Sequence, residues 1–148
     1  MGYNFRLSDI NCALGLVQLS RIEEILAARE RVAGMYLRRL ADEPRLSMQH
    51  VLPDCDISWF IFVVRLDDRY TQADRDRMLS QFRQKGIGCN NYFVPIHLQP
   101  FYREQFGYRE GSFPVCEALA ARTIALPFHA RLTEADIDTV VGELKRML

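Results

Sequence analysis

The sequence contains very little lysine: among its 148 residues, only Lys85 and Lys145 carry that side chain. Arginine supplies the remaining positive charge, and Lys plus Arg equals Asp plus Glu at 19 each, so the formal net charge is zero. A balanced charge gives no long-range attraction toward nucleic acid or an anionic membrane surface, and we expect neither as a partner. The scarcity of lysine also limits amine chemistry, because lysine is the side chain that forms imines with carbonyl compounds.

The sequence also lacks the short motifs of common catalytic sites. It has no glycine-rich phosphate loop, no H-E-x-x-H and no G-x-S-x-G pattern. Four cysteines, Cys12, Cys55, Cys89 and Cys116, form no C-x-x-C pair and stand at no metal-like spacing to a histidine. Motifs therefore predict no catalytic residue and no metal site, and the cysteines are interpreted as free thiols in a reducing cytoplasm.

Long hydrophobic runs are missing as well. The longest run, from Trp59 to Val64, is far too short to span a bilayer, and the N-terminus has no apolar signal-peptide region. The composition, 49% hydrophobic and 26% charged, is typical of a soluble globular domain. We therefore expect a cytoplasmic location.

The first third of the chain is predicted to be helical. Ser8 is a candidate N-cap for a helix whose apolar positions, Ile10, Ala13, Leu14 and Val17, recur at helical spacing. A second, long amphipathic helix follows from Ile22 and ends before Pro44. We divide the chain into an N-terminal motif with linking helices, 1–42, and a small domain, 43–148.

The second part of the chain alternates between strands and helices. After a polar, loop-like segment over 46–56, S-W-F-I-F-V-V-R-L lacks alternation and predicts a strand buried on both faces. A helix capped by Thr71, a strand over 87–93, two short helices, a short strand over 123–126 and a last helix from Thr133 follow. This order predicts an α+β fold: a small, largely antiparallel sheet with helices packed mostly on one face and a long N-terminal linking helix.

Two pairs of polar residues are candidates for a site. Asn4 and Arg6 precede a helix N-terminus, where an amide and a guanidinium could bind an anion, although a local turn and an ion pair would explain them as well. Tyr92 and His97 lie at the end of a predicted strand, where binding sites are often built, and Pro95 restricts the backbone next to His97. The residues alone favour a hydrogen-bonded structural histidine at position 97.

Several motifs together resemble one known family. G-Y-N-F-R-L-S-D-I followed by A-L-G-L-V-Q-L is similar to a segment of the DegT/StrS family of pyridoxal-phosphate (PLP) sugar aminotransferases. The resemblance continues in order through K-G-I-G, P-I-H-L-Q-P-F-Y, F-G-Y-R-E-G-S-F-P-V-C-E-A-L-A and I-A-L-P-F-H-A-R-L-T. It covers essentially the whole chain and implies the small C-terminal domain of an aspartate-aminotransferase-type enzyme.

The resemblance assigns roles to the four candidate residues. It implies that Asn4 reaches across a homodimer, formed through the N-terminal helices, to the cofactor phosphate of the partner subunit. It places Arg6 near the same active-site mouth, and Tyr92 and His97 at the substrate. Tyr92 stands where many relatives have a histidine, so its substrate role carries over less directly.

The resemblance also implies what this chain does not contain. The Schiff-base lysine, the aspartate that pairs with the pyridine nitrogen and the large PLP-binding domain belong upstream, and neither Lys85 nor Lys145 can replace that lysine. We therefore expect this chain alone to be inactive. The full-length enzyme would transfer an amino group from glutamate to a nucleotide-linked keto-sugar for polysaccharide or glycan biosynthesis. Two alternatives remain open: a PLP-type sugar dehydratase of the same family, and a truncated, non-catalytic dimerisation or binding module.

Overall fold

A computed structural model describes residues 6–148 of the chain. Its helices and strands follow in the order α1 (Asp9–Ser20), α2 (Ile22–Leu40), β1 (Leu46–Met48), β2 (Phe62–Leu66), α3 (Gln72–Gln84), β3 (Asn90–Asn91), a 3-10 helix (Ile96–Leu98), α4 (Pro100–Phe106), α5 (Pro114–Arg122), β4 (Thr123–Leu126) and α6 (Glu134–Met147). The four strands form one sheet in the order β1-β2-β4-β3, and every neighbouring pair is antiparallel. The predicted α+β fold with a small antiparallel sheet is confirmed.

Local capping groups define the helix starts, as the sequence predicts. The Ser8 side chain accepts a hydrogen bond from the backbone N–H of Asn11 at the start of α1. Helices α3 and α6 each begin with a complete capping box, in which a threonine and an aspartate three residues later satisfy each other's backbone N–H groups. Helix α4 ends at Gly107, whose φ of +70° only glycine adopts easily.

One strand was not predicted, and another is shorter than predicted. The polar segment over 46–56 contains β1, because Leu46 and Met48 pair with the edge of β2. The strand predicted over 87–93 is reduced to Asn90–Asn91, since the chain ahead of it turns locally: the Ile87 N–H bonds to the Phe82 carbonyl. Composition alone does not reveal three-residue and two-residue strands, because they exist only through their partners.

The prediction that β2 is buried on both faces is also wrong. Phe62, Val64 and Leu66 are buried, whereas Val63 and Arg65 between them are only partly covered. Arg65 lies on the outer face and donates from Nε to Ser47 Oγ of β1 at 3.1 Å. The strand also begins later than predicted, at Phe62 and after Trp59, whose φ is +34°.

Tyr36 joins α2 to the sheet at the centre of the core. Its ring is fully buried and stacks on Phe62 of β2, with the ring centroids 4.8 Å apart. Its hydroxyl donates to the backbone carbonyl of Pro127, directly after β4, at 2.8 Å. Burial raises the pKa of this phenol above its ordinary value. One side chain therefore connects a helix, a central strand and the end of a second strand.

Ion pairs support the packing of α2 against α6. Arg39 of α2 donates from Nε to Asp138 of α6 at 2.6 Å and also pairs with Glu134. All three side chains lie near the surface, where each pair contributes little alone, on the order of 0–1 kcal/mol. The apolar faces of the two helices, which belong to the same hydrophobic core as β2 and β4, carry most of the packing energy.

All four cysteines lie within the described residues and are free thiols. Cys12, Cys55 and Cys116 are exposed, whereas Cys89 is partly buried and packs against the core. Burial raises the pKa of Cys89 to about 12, so this thiol is protonated at neutral pH.

Helix α1 contributes no buried side chain to this core. Its predicted apolar face is exposed: Ile10 is 82% accessible, Leu14 61% and Val17 56%. The packing energy that normally stabilises a helix in a protein is therefore missing for α1 within the described chain.

Removing the Tyr36 hydroxyl tests its place in the core. We expect Tyr36→Phe to lower the free energy of unfolding by about 1 kcal/mol, because the Pro127 carbonyl loses its donor while the ring packing is kept. Urea unfolding at neutral pH measures this change. Tyr102→Phe, at a partly exposed tyrosine, is the matched control and should cost less than about 0.5 kcal/mol. An equal loss of stability in the two variants would contradict a structural role for the hydrogen bond from Tyr36 to Pro127.

Candidate functional site

The four predicted site residues fall in two places along the chain. Asn4 lies outside the described residues. Arg6 is exposed and stands two residues before the N-cap of α1. Tyr92 and His97 share the loop that leads from β3 into α4. The structure therefore groups Tyr92 with His97, while Arg6 is not among the residues that line the groove described next.

An open groove of about 780 Å³ lies beside this loop. Its first wall is formed by residues 92–96, including Tyr92 and Phe93. Its second wall is formed by residues 112–116, 119 and 120, including Phe113 and Val115 at the start of α5. Most of the lining is apolar, and Phe93 and Val115 are 68% and 74% exposed. A groove of this size and character is typical of ligand or partner sites rather than of ordinary surface.

Tyr92 is anchored through its backbone. Its carbonyl accepts a hydrogen bond from Thr123 Oγ1 at 3.3 Å, and its ring packs beside that of Phe93 at 4.7 Å between centroids. Thr123 begins β4, so the start of the loop is tied to the sheet. The side chain of Tyr92 is partly exposed and lines the groove, as a substrate contact would require.

His97 lies behind the groove rather than in it. Its side chain is 8% exposed, and its Nε2 atom is 2.9 Å from Oε1 of Glu117 in α5. Its ring packs edge-on against Phe113, with centroids 4.8 Å apart. These contacts fit the hydrogen-bonded structural histidine that the residues alone favour. The substrate role implied by the family resemblance stays a prediction.

Glu117 is a residue of this site that sequence reasoning missed. One carboxylate oxygen, Oε1, accepts the N–H of Phe113 at 3.0 Å and faces His97, and the other, Oε2, accepts the N–H of Gly111 at 2.8 Å. These N–H groups stabilise the charged carboxylate and hold the pKa of Glu117 below its ordinary value, and His97 acts in the same direction. The only signal in the sequence was a glutamate in the first turn of a helix whose N-cap, Phe113, cannot cap with its side chain.

Both lysines serve the fold. Lys85, at the end of α3, pairs with Glu143 of α6. Lys145 of α6 donates from Nζ to the backbone carbonyl of Arg39 at 2.8 Å. Neither lysine lines the groove.

The described residues show no metal centre and no membrane span. Across residues 6–148, the structure brings no three His, Cys, Asp or Glu side chains into an arrangement that would hold a metal ion. Within the same range, no helix combines the length and the apolar character needed to cross a membrane.

This domain is similar in sequence and in fold to known aminotransferases. The chain belongs to the DegT/DnrJ/EryC1/StrS aminotransferase family, whose profile matches residues 1–145. It is 32% identical over 97% of its length to the spore coat polysaccharide biosynthesis protein SpsC of Bacillus subtilis, and covers 37% of that protein. It is 36% identical over its whole length to GDP-perosamine synthase of Caulobacter vibrioides, and covers 39% of that enzyme.

A solved structure shows the same fold. The aminotransferase TlmJ from Streptoalloteichus hindustanus superposes with a TM-score of 0.83 at 29% sequence identity, over 99% of this chain and 38% of that one. The chain thus spans less than two fifths of the length of the relatives it matches. The family and the fold of this portion are shown by these matches.

The lowered pKa of Glu117 predicts a pH-dependent role in stability. Because the folded-state pKa lies below the unfolded one, near 4.3, the charged carboxylate stabilises the fold above that pH. This contribution is lost as the pH falls through the folded-state pKa. Glu117→Gln should therefore destabilise the protein clearly at pH 7 and much less at about pH 3.

Urea unfolding of the wild type and of Glu117→Gln at both pH values measures the difference. Glu104→Gln, at an exposed glutamate of α4, is the matched control and should have little effect at either pH. An equal loss of stability at pH 7 and pH 3 for Glu117→Gln would show that its charge does not contribute.

Proposed function

We propose that this chain is the C-terminal part of a PLP-dependent aminotransferase that transfers an amino group from glutamate to a nucleotide-linked keto-sugar in polysaccharide or glycan biosynthesis. The observation that carries the proposal is the family match over residues 1–145. Two relatives, one a spore coat polysaccharide biosynthesis protein and the other GDP-perosamine synthase, support the sugar substrate. Residues 1–42 and 43–148 would be the linking segment and the small domain, in a cytoplasmic enzyme.

PLP would need a lysine that this chain does not place beside the groove. Lys85 pairs with Glu143, Lys145 donates to the Arg39 carbonyl, and neither lines the groove. When bound, PLP would supply the electron sink that amino transfer requires. The lysine and most cofactor contacts would come from residues outside those described. This chain would contribute Asn4 toward the cofactor phosphate, and Arg6, Tyr92 and His97 toward the substrate.

Half-reactions of the full-length enzyme test this function. Glutamate should change the absorbance of the bound cofactor, and a nucleotide-linked keto-sugar should restore it. Loss of a sugar hydroxyl without a response to glutamate would favour the dehydratase alternative. A protein that binds no cofactor would favour the non-catalytic module. The coding sequence upstream of residue 1 adds an independent check, since an aminotransferase needs a lysine there.

The role proposed for Asn4 predicts weaker cofactor retention. In the full-length enzyme, Asn4→Ala should remove roughly 1–3 kcal/mol of hydrogen bonding to the cofactor phosphate, with little change in folding. Dialysis against buffer, followed by cofactor absorbance, measures the retained fraction. Asn11→Ala, at an exposed asparagine of α1, is the control. Equal retention in both variants would refute the role of Asn4.

The exposed face of α1 supports the proposal of a homodimer. Ile10, Leu14 and Val17 lie on one face of a helix that buries nothing within the described chain. An apolar face of this kind is typical of an interface. Residues 1–42 would therefore carry the association between two copies.

A charge placed on this face should separate the copies. In the full-length protein, we expect Leu14→Arg to shift the mass in light scattering from dimer to monomer, because an interface centre does not readily accept an unpaired buried charge. Gln84→Arg, at an exposed polar residue of α3 outside residues 1–42, is the control and should leave the dimer intact. A dimer that survives Leu14→Arg would place the interface elsewhere.

A further inference from the structure

The carboxylate of Glu117 connects three parts of the chain that are separate in sequence. It accepts N–H groups from Gly111 and Phe113, in the segment between α4 and α5, and it pairs with His97 in the 3-10 helix of the groove loop. Glu117 itself is part of α5. Both carboxylate oxygens form hydrogen bonds, so this one side chain holds the three segments together.

A simpler interpretation is that Glu117 only caps α5. The bond to the Phe113 N–H fits that interpretation, because Phe113 is the N-cap of α5 and offers no capping side chain. The other two bonds do not, since Gly111 and His97 lie outside the helix. A cap also needs no contact with a side chain 20 residues away, and this contact is the one that reaches the groove loop.

His97 transmits this contact to the groove. Its imidazole is held between the Glu117 carboxylate and the edge of the Phe113 ring. Residues 92–96 immediately before it form the first wall of the groove, and Phe113 belongs to the second wall. The His97–Glu117 pair therefore joins the two walls from behind and sets their separation.

The groove suits a flat, mostly apolar ligand group. Its lining includes the rings of Tyr92, Phe93 and Phe113 and is otherwise largely apolar. Aromatic rings stack on nucleobases and on the apolar faces of sugar rings, whereas a dicarboxylic amino acid needs charged partners. The volume of about 780 Å³ also exceeds the needs of glutamate and lies in the range of pockets for larger ligands.

We propose that Glu117 is a positioning residue: through His97 it fixes the loop over 92–98 and so determines the affinity for the nucleotide-linked sugar, without touching that substrate. This inference rests on the proposed function and deepens it, because it separates the sugar half-reaction from the glutamate half-reaction. It also gives His97 a role in sugar binding that its buried position allows.

The two half-reactions of the full-length enzyme, followed by cofactor absorbance, provide the first test. Glu117→Gln should raise the KM for the sugar nucleotide about tenfold, which corresponds to one lost charged hydrogen bond, with kcat and the glutamate half-reaction within about twofold of wild type. His97→Ala should have the same effect. Glu104→Gln, on the neighbouring helix, should change neither.

A conservative variant separates positioning from proton transfer. His97→Gln keeps an N–H donor for the Glu117 carboxylate but cannot act as an acid or base near neutral pH. Its KM for the sugar nucleotide should lie within about threefold of the wild-type value, whereas His97→Ala should raise that KM about tenfold. Failure of both half-reactions in His97→Gln would place His97 in the chemistry and overturn the inference.

Hydrogen exchange, read by mass spectrometry on the same full-length proteins, provides a second readout. Glu117→Gln should speed exchange in peptides that cover 108–114 and also in those that cover 92–99, since both segments lose an anchor. An effect confined to 108–114 would mean that Glu117 is only a cap of α5, and would overturn the inference. An unchanged sugar KM would do the same.

Results that refute the proposed function differ from results that refute only the role of Glu117. A wild-type enzyme inert to both glutamate and sugar would refute the aminotransferase assignment, and the kinetic part of the inference with it. The exchange pattern would still show whether Glu117 holds the loop over 92–99. An active wild-type enzyme with an unaffected Glu117→Gln variant would refute the inference alone.

Discussion

The packing of α2 on the sheet through Tyr36 is the constraint on which the other elements depend. Its ring stacks on Phe62 of β2, and its hydroxyl bonds to the carbonyl that follows β4, so both central strands are fixed relative to one helix. Helix α1 precedes α2 with only Arg21 between them, so the position of α1 depends on how α2 packs on the sheet. Strand β4 in turn carries β3, which leads into the groove loop.

The groove lies beside the end of the sheet at which β4 begins. Thr123, the first residue of β4, holds the start of the loop through the Tyr92 carbonyl, and Glu117 of α5 holds its end through His97. The loop is thus fixed at both ends by residues that are close together in the chain, because α5 runs directly into β4.

The success of sequence reasoning depended on how local each signal is. The helix starts at Ser8, Thr71 and Thr133 were predictable because a capping side chain bonds within three residues. Strand β1 and the short extent of β3 were not, because these few residues are strands only by pairing with β2 and β4. The alternating burial of β2 was hidden, since Val63 is apolar although it lies on the outer face.

In the candidate site too, local features were predictable from the sequence and contacts between distant segments were not. Tyr92 became a candidate because it lies at the end of a predicted strand that leads into a loop, which is visible in the sequence. The bond between His97 and Glu117 spans 20 residues and depends on how α5 packs, so no local pattern contains it. The roles of Asn4 and Arg6 came from the family resemblance alone, because polar residues shortly before a predicted helix have many ordinary explanations.

The dependence on arginine rather than lysine has a consequence for alkaline solutions. Guanidinium groups remain charged far above pH 10, so pairs such as Arg39 with Asp138 persist there. Burial has raised the pKa values of two neutral acids in the interior, Tyr36 and Cys89. The stability linked to a raised folded-state pKa is complete below the unfolded value, near 8.5 for a cysteine, and is lost as the pH rises through the folded value, about 12 for Cys89. In base, this domain therefore loses stability at interior groups that are not part of its salt bridges.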